Sequence, residues 1–180
     1  MNGIKRGPFP CLSLIGMPGS GKSTLAGSLS RRLGWAHVDT DHILEAWYGL
    51  SLENLMVRLG KAGFLLAEER IVADLDLSRC VIATGGSVIY SARAMQRLHD
   101  LGNVVYLEAD YRAISERVAR CPDRGLAMDR DQDLHAIYLE RTPLYESHAD
   151  FTLSTEHNDP DECVSVIERW VLERKETGFS

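Results

Sequence analysis

The apolar run Cys11-Leu12-Ser13-Leu14-Ile15 is followed at once by Gly16-Met17-Pro18-Gly19-Ser20-Gly21-Lys22-Ser23. No other stretch of the chain constrains its fold as tightly. A short apolar run closed by glycine reads as a buried strand, and the eight residues after it satisfy G-x-x-x-x-G-K-[ST]. That template describes a strand ending in a tight loop that turns directly into a helix. The glycines allow several backbone N–H groups to converge, and a helix starting near Lys22 adds its positive N-terminal end. Such a concavity suits the phosphates of a nucleoside triphosphate. Lys22 is placed to reach the β- and γ-phosphate oxygens, and the Ser23 hydroxyl to ligate Mg²⁺. Gly19, Ser20, Gly21 and Thr24 complete the expected ATP-binding set.

Further along, short apolar runs recur at Ala36–Val38, Cys80–Ala83, Val104–Leu107 and Phe151–Leu153. Amphipathic stretches separate them: Lys22–Leu33, Leu52–Leu77, Ser91–Leu101, Tyr111–Arg120, Gln132–Ser147 and Asp161–Arg174. Ser51 and Asp110 are placed to cap the helices that follow them. This alternation predicts an α/β fold: a five-stranded parallel sheet with helices on both faces, a three-layer sandwich. In such folds ligands gather at the carboxyl ends of the strands.

Composition narrows the function. The 180 residues are 44% hydrophobic and 26% charged, enough for one domain with a sizeable core. A net charge of −6 argues against a nucleic-acid surface. The four cysteines are scattered without C-x-x-C spacing and are expected to be buried thiols. No apolar stretch approaches spanning length, so the expectation is a cytoplasmic protein with no membrane partner. No N-K-x-D or D-x-x-G element points to a guanine-nucleotide switch. Trp35, Trp47 and Trp170 read as packing residues.

Four segments carry candidate chemistry, the first two of them at strand ends. Val38-Asp39-Thr40-Asp41-His42 carries two carboxylates at an i, i+2 spacing, one for the Mg²⁺ shell and one for a substrate hydroxyl. Asp41 is equally a candidate cap for a helix starting near Ile43. Thr84-Gly85-Gly86-Ser87 exposes backbone N–H groups with no side chain in the way. Arg117 to Gly125 joins arginines to turn residues, as a flap closing over phosphates would. Arg141-Thr142-Pro143-Leu144-Tyr145 offers an arginine suited to bidentate binding of an anion, or to a structural ion pair.

In order, these segments resemble the shikimate kinase family from about Leu12 to Arg174. The similarity includes the phosphate loop, Asp39-Thr40-Asp41 with Ile43 and Glu45, and Gly60-Lys61-Ala62-Gly63-Phe64 with Glu68. It continues through Ala83-Thr84-Gly85-Gly86, Val105-Tyr106-Leu107, Arg117 with Arg124, and Arg141-Thr142-Pro143-Leu144-Tyr145. The resemblance implies a P-loop NTPase fold, with a helical substrate-binding segment over about 40–78 and a lid over about 119–131. It implies an ATP- and Mg²⁺-dependent kinase, monomeric, that phosphorylates a hydroxyl of a small metabolite, shikimate first among candidates. Lys22, Asp41 and Arg124 take the catalytic positions; Ser23 and Asp39 hold the metal; Arg117 stacks on adenine. Asp41, Gly85, Gly86 and Arg141 bind the acceptor.

Two positions depart from the family pattern. Leu65 stands where an arginine clamps the substrate carboxylate, and Ser87 replaces a third glycine. Lys61, one turn from Leu65, is a candidate replacement for the missing charge, and Ser87 suits an additional hydroxyl contact. Asp39-Thr40-Asp41-His42 also resembles gluconate-type kinases, which keeps a polyol or sugar-acid acceptor open. An ATP-binding module without catalysis is the further alternative.

Overall fold

The computed structural model describes residues 10–120, 133–156 and 159–176. Its strands are β1 (Cys11–Ile15), β2 (Ala36–Asp39), β3 (Cys80–Ala83), β4 (Gly102–Glu108) and β5 (Phe151–Ser154). Around them lie α1 (Lys22–Leu33), α2 (Thr40–Tyr48), α3 (Leu52–Ala73), α4 (Ala92–Leu101), α5 (Tyr111–Ala119), α6 (Leu134–His148) and α7 (Pro160–Glu176). The strands form one sheet in the order β2-β3-β1-β4-β5, with every pairing parallel.

Strand periodicity explains the layering. Side chains alternate across a strand, and both faces of this sheet are covered, so its central strands are mostly apolar, with Ser13 and Asn103 as buried polar exceptions. Cys11 and Ile15 of β1, Ile82 of β3, and Val104 and Tyr106 of β4 enter one core with Met95, Leu98 and Ile137. Leu12 and Leu14, Val81 and Ala83, and Val105 and Leu107 enter the other with Leu25, Leu29 and Ile167. Helices α1 and α7 therefore cover one face, while α4 and α6 cover the opposite one. Cys11, Cys80 and Cys163 are buried, as their apolar settings predict.

Helix ends follow local chemistry. Ser51 and Asp110 accept hydrogen bonds from the N–H groups of Asn54 and Ala113, as expected of caps. The cap of α2 is a correction to the sequence reading. The helix begins at Thr40 rather than near Ile43, and Asp39, not Asp41, caps it by accepting from the Asp41 N–H at 3.0 Å. Helix α3 stops at Ala73 instead of Leu77, where the alternating Asp74-Leu75-Asp76-Leu77 breaks the helical pattern. It also bends at Gly60 (φ 66°, ψ 173°), a conformation open to glycine. Trp35 is buried as expected, but Trp47, on the last turn of α2, is 65% exposed, because that helix turns Thr40 and Leu44 inward.

Strand β1 is central: from it the chain runs to β2 and β3 on one side, then crosses to β4 and β5 on the other. That reversal opens a crevice at the carboxyl end of β1. The phosphate loop, the start of α2 and the segment after β3 all converge there.

Candidate active site

The loop after β1 is wound around its own lysine. Lys22, 8% exposed, donates to the carbonyls of Gly16 at 2.8 Å and Met17 at 2.9 Å, while the Ser20 N–H bonds Met17 O at 3.0 Å. Gly16 lies against the end of β4: a Cβ there would stand 2.7 Å from the Leu107 carbonyl oxygen. Arg117 of α5 reaches over and donates to the Gly19 carbonyl at 3.1 Å.

Two cavities share this loop. One, of about 350 Å³, runs from Gly19, Lys22, Ser23 and Thr24 past Asp39 and Asp41 to Glu68, Gly85 and Arg141. The other, of about 380 Å³, lies behind Gly19, Ser20 and Gly21 and is bordered by Arg117, Arg120, Thr155 and Cys163. A triphosphate on the loop would span the two, with its nucleoside in the second and its γ-phosphate facing the first.

The acidic wall of the first cavity is unusual in its electrostatics. Burial, reinforced by the neighbouring Asp39 charge, raises the Asp41 carboxyl to about 6, although Lys22 pulls it down. Glu68 is pushed up to about 7, first by burial and then by the charge of Asp41, against a bond from Ser87 and the charges of Arg141 and Lys22. The backbone at Gly85 passes so close that a Cβ would lie 2.0 Å from Glu68 Oε1 and 2.7 Å from Asp41 Oδ1. Thr40 Oγ1 accepts the Gly85 N–H at 3.1 Å, which ties α2 to the end of β3.

Opposite stands Arg141, only 2% exposed. Its Nε donates to the Tyr90 hydroxyl at 3.1 Å, and its guanidinium lies 5.1 Å from the centre of that ring. Tyr145 donates to the Gly86 carbonyl at 2.5 Å and stacks on Tyr106 with centroids 5.2 Å apart. Its hydroxyl is raised well above the ordinary tyrosine range by burial. Two tyrosines thus fix both the arginine and the glycine turn facing it.

Lys22, Ser23, Thr24, Asp39, Asp41, Gly85, Gly86, Ser87 and Arg141 all border the first cavity, as do Gly19 and Gly21. Ser20 and Arg117 border the second. Leu65 goes elsewhere: it packs half-buried against a small apolar cluster of Leu44, Leu55, Phe64 and Ala67, and its neighbour Phe64 meets the cavity instead. Lys61 is likewise absent from the described cavity walls. Ser87 directs its hydroxyl proton at Glu68 Oε2, 2.5 Å away. Arg124 and most of the expected lid lie outside the described residues.

Sequence reasoning gave no role to Glu68, Tyr90, Tyr145 or Thr40. Glu68 did carry a signal. Within α3 the buried positions Phe64, Ala67, Glu68 and Val72 follow i, i+3, i+4, i+8 spacing, and a carboxyl on such a stripe must have a reason to be there.

Comparison with known proteins agrees with this fold. The family model described as shikimate kinase matches residues 18–172. A shikimate kinase of Paracidovorax citrulli is 38% identical over 159 residues, 84% of this chain and 85% of that protein. One of Xanthomonas campestris is 37% identical over 163 residues, covering 89% and 91% respectively. Among solved structures, the shikimate kinase of Acinetobacter baumannii in complex with shikimate superimposes with a TM-score of 0.85 at 28% identity, covering 92% of this chain and 94% of that one.

Proposed function

The chain belongs to the shikimate kinase family, and on that premise we propose that it transfers the γ-phosphoryl group of ATP to a hydroxyl of shikimate, giving shikimate 3-phosphate. The observation that carries the reading is the single cavity in which Lys22, Asp41 and Arg141 meet. One binds phosphate, one attracts a hydroxyl proton, and one grips an anionic acceptor.

Phosphoryl transfer asks a protein for alignment and charge neutralisation more than for covalent chemistry. Lys22 offsets the negative charge of the β- and γ-phosphate oxygens. Asp41, burial-shifted toward neutrality yet mostly ionised at pH 7, accepts a hydrogen bond from the attacking hydroxyl and takes up its proton. The N–H groups of the Gly85-Gly86 turn border the same space. Arg141, pre-set by Tyr90, binds the acceptor carboxylate. Arg117 and Arg120 flank the nucleoside end. Ser23 and Asp39 present oxygen donors to the first cavity, the ligand type Mg²⁺ prefers, and are the residues that would hold it. The metal, when bound, supplies charge neutralisation for the phosphates. Arg124 is the residue proposed to close over them.

The test is ADP release by the purified chain with Mg²⁺-ATP, with and without shikimate. Saturable, shikimate-dependent release with a phosphorylated product is the expected result. ATP binding without acceptor stimulation would leave a polyol acceptor or a non-catalytic module in its place.

A further inference from the structure

Helix α4 runs directly into the start of β4, and α6 reaches the start of β5 through Ala149 and Asp150. Strands β4 and β5 are parallel neighbours. The two helices therefore end side by side at the amino ends of the strands, the pole opposite the phosphate loop. Each last turn carries one histidine, His99 in α4 and His148 in α6. Their ring centres are 5.9 Å apart, with the planes tilted by 39°. Both residues are half-buried, and neither imidazole has a hydrogen-bond or ion-pair partner among the described residues.

A single histidine at a helix C-terminus has a ready explanation, because its cation suits the negative end of the helix. The pair does not fit it. Two imidazolium ions would repel each other, and burial, then the charge of His99, holds His148 below the ordinary histidine range. What remains near pH 7 is a neutral imidazole, the form that ligates a metal.

The spacing suits a shared ion. A zinc-like ion stands about 2.0–2.1 Å from an imidazole nitrogen, which puts each ring centre about 3.2 Å from the metal. Two rings on one ion then have their centres about 5.2 Å apart at a tetrahedral angle and about 6.4 Å apart in line. The observed 5.9 Å falls between these limits. No third His, Cys, Asp or Glu completes a metal-holding group among the described residues. Water would fill the remaining positions, which makes the ion exchangeable, unlike one in a closed four-ligand structural site. Imidazole donors select late transition ions, whereas Mg²⁺ and Ca²⁺ prefer oxygen.

We propose that His99 and His148 form a two-imidazole site for a late first-row divalent cation (Zn²⁺, Ni²⁺ or Cu²⁺) that staples α4 to α6. Helix α6 carries Arg141 and Tyr145, and α4 follows the turn that carries Tyr90. The ion thus joins, at their far ends, the two elements that support one wall of the acceptor cavity. The site stands independently of which acceptor the protein phosphorylates.

The probe is Ni²⁺, titrated by calorimetry into the untagged, metal-stripped chain with excess Mg²⁺ present to occupy oxygen donors. Wild type, His99→Gln and His148→Gln are compared. Wild type should take up one Ni²⁺ in the micromolar range. Each variant should bind at least about 10-fold more weakly, since loss even of a residue supporting a metal ligand costs that much. At a free Ni²⁺ concentration about 100 times its Kd, the wild-type Tm should rise by about 5–10 °C, a shift that both variants lose. No uptake by wild type below about 1 mM, far weaker than two imidazoles on one ion allow, overturns the proposal without recourse to any variant. Uptake and a Tm shift equal in all three proteins place the ion elsewhere and overturn it too. Loss in one variant alone reduces the site to a single ligand, which refutes the staple.

Discussion

Gly85→Ala puts one carbon into the most crowded point of the acceptor wall. The new Cβ would stand 2.0 Å from Glu68 Oε1, 3.1 Å from Glu68 Cδ and 2.7 Å from Asp41 Oδ1. Carbon and oxygen meet comfortably at about 3.3–3.6 Å, so both carboxyl groups must retreat, Glu68 by about 1 Å or more. Glu68 has no slack for this. It is fully buried, and retreat stretches the 2.5 Å bond from Ser87. Gly85 does not occupy the left-handed backbone region, so the effect is one of contact and not of backbone strain. Overpacking costs about 1–3 kcal/mol, and weakening a hydrogen bond to a carboxyl about 1–3 kcal/mol. The expected loss of stability is therefore about 2–6 kcal/mol in urea unfolding.

Activity should suffer more than stability alone explains, because Asp41 moves with the collision. A displacement of about 1 Å of an aligned group costs on the order of 100-fold in turnover, measurable as shikimate-dependent ADP release from folded Gly85→Ala. The decisive control is Gly85→Ala combined with Glu68→Ala, which removes the oxygen that is struck. The double variant should be more stable than the two single losses predict, by a coupling of about 1–3 kcal/mol. Additive losses, or a Gly85→Ala protein within about 0.5 kcal/mol of wild type, would refute the packing argument.

Two other perturbations probe the opposite wall and the titration of the acid. Tyr90→Phe keeps the ring beneath Arg141 but deletes the hydroxyl that accepts from its Nε; KM for shikimate should rise roughly 10-fold or more, with kcat and the KM for ATP within about 3-fold. A rise in KM for ATP alone would remove Arg141 from the acceptor site. Glu68, with its carboxyl raised from 4.5 to about 7 by burial and by Asp41, binds its proton more tightly folded than unfolded. Its contribution to stability is full below about pH 4.5 and is lost as pH rises through 7, a swing on the order of 3 kcal/mol. Asp41 adds a swing of the same sign between about pH 4 and 6. Unfolding free energy should thus fall from pH 5 to pH 8 in wild type, and less steeply in Glu68→Gln; identical slopes would show that Glu68 is not the titrating group.

How much of this was legible in the sequence depends on how local each signal is. The phosphate loop is readable because its chemistry is written in consecutive residues, and β1, β3 and β4 because a strand covered on both faces reads as a near-continuous apolar run. Helix α1 matches its expected span, Lys22–Leu33, since Gly21 and Gly34 bracket it on both sides. The start of α2 was misplaced for an equally local reason. Asp39 and Asp41 are both good caps, and only the direction of the chain leaving β2 decides between them. What sequence spacing cannot carry is convergence. Glu68 and Ser87 are 19 residues apart, and Arg141 and Tyr90 are 51 apart. Each pair meets only because β3 lies beside β1 in the sheet, so that the turn after β3 stands between α3 and α6. Leu65 makes the same point from the other direction. From sequence it reads as a lost contact in the acceptor site, and its side chain packs into the cluster around Leu44 and Phe64. One face of α3 thus supplies apolar packing at Leu65 and a partly unsatisfied acid at Glu68.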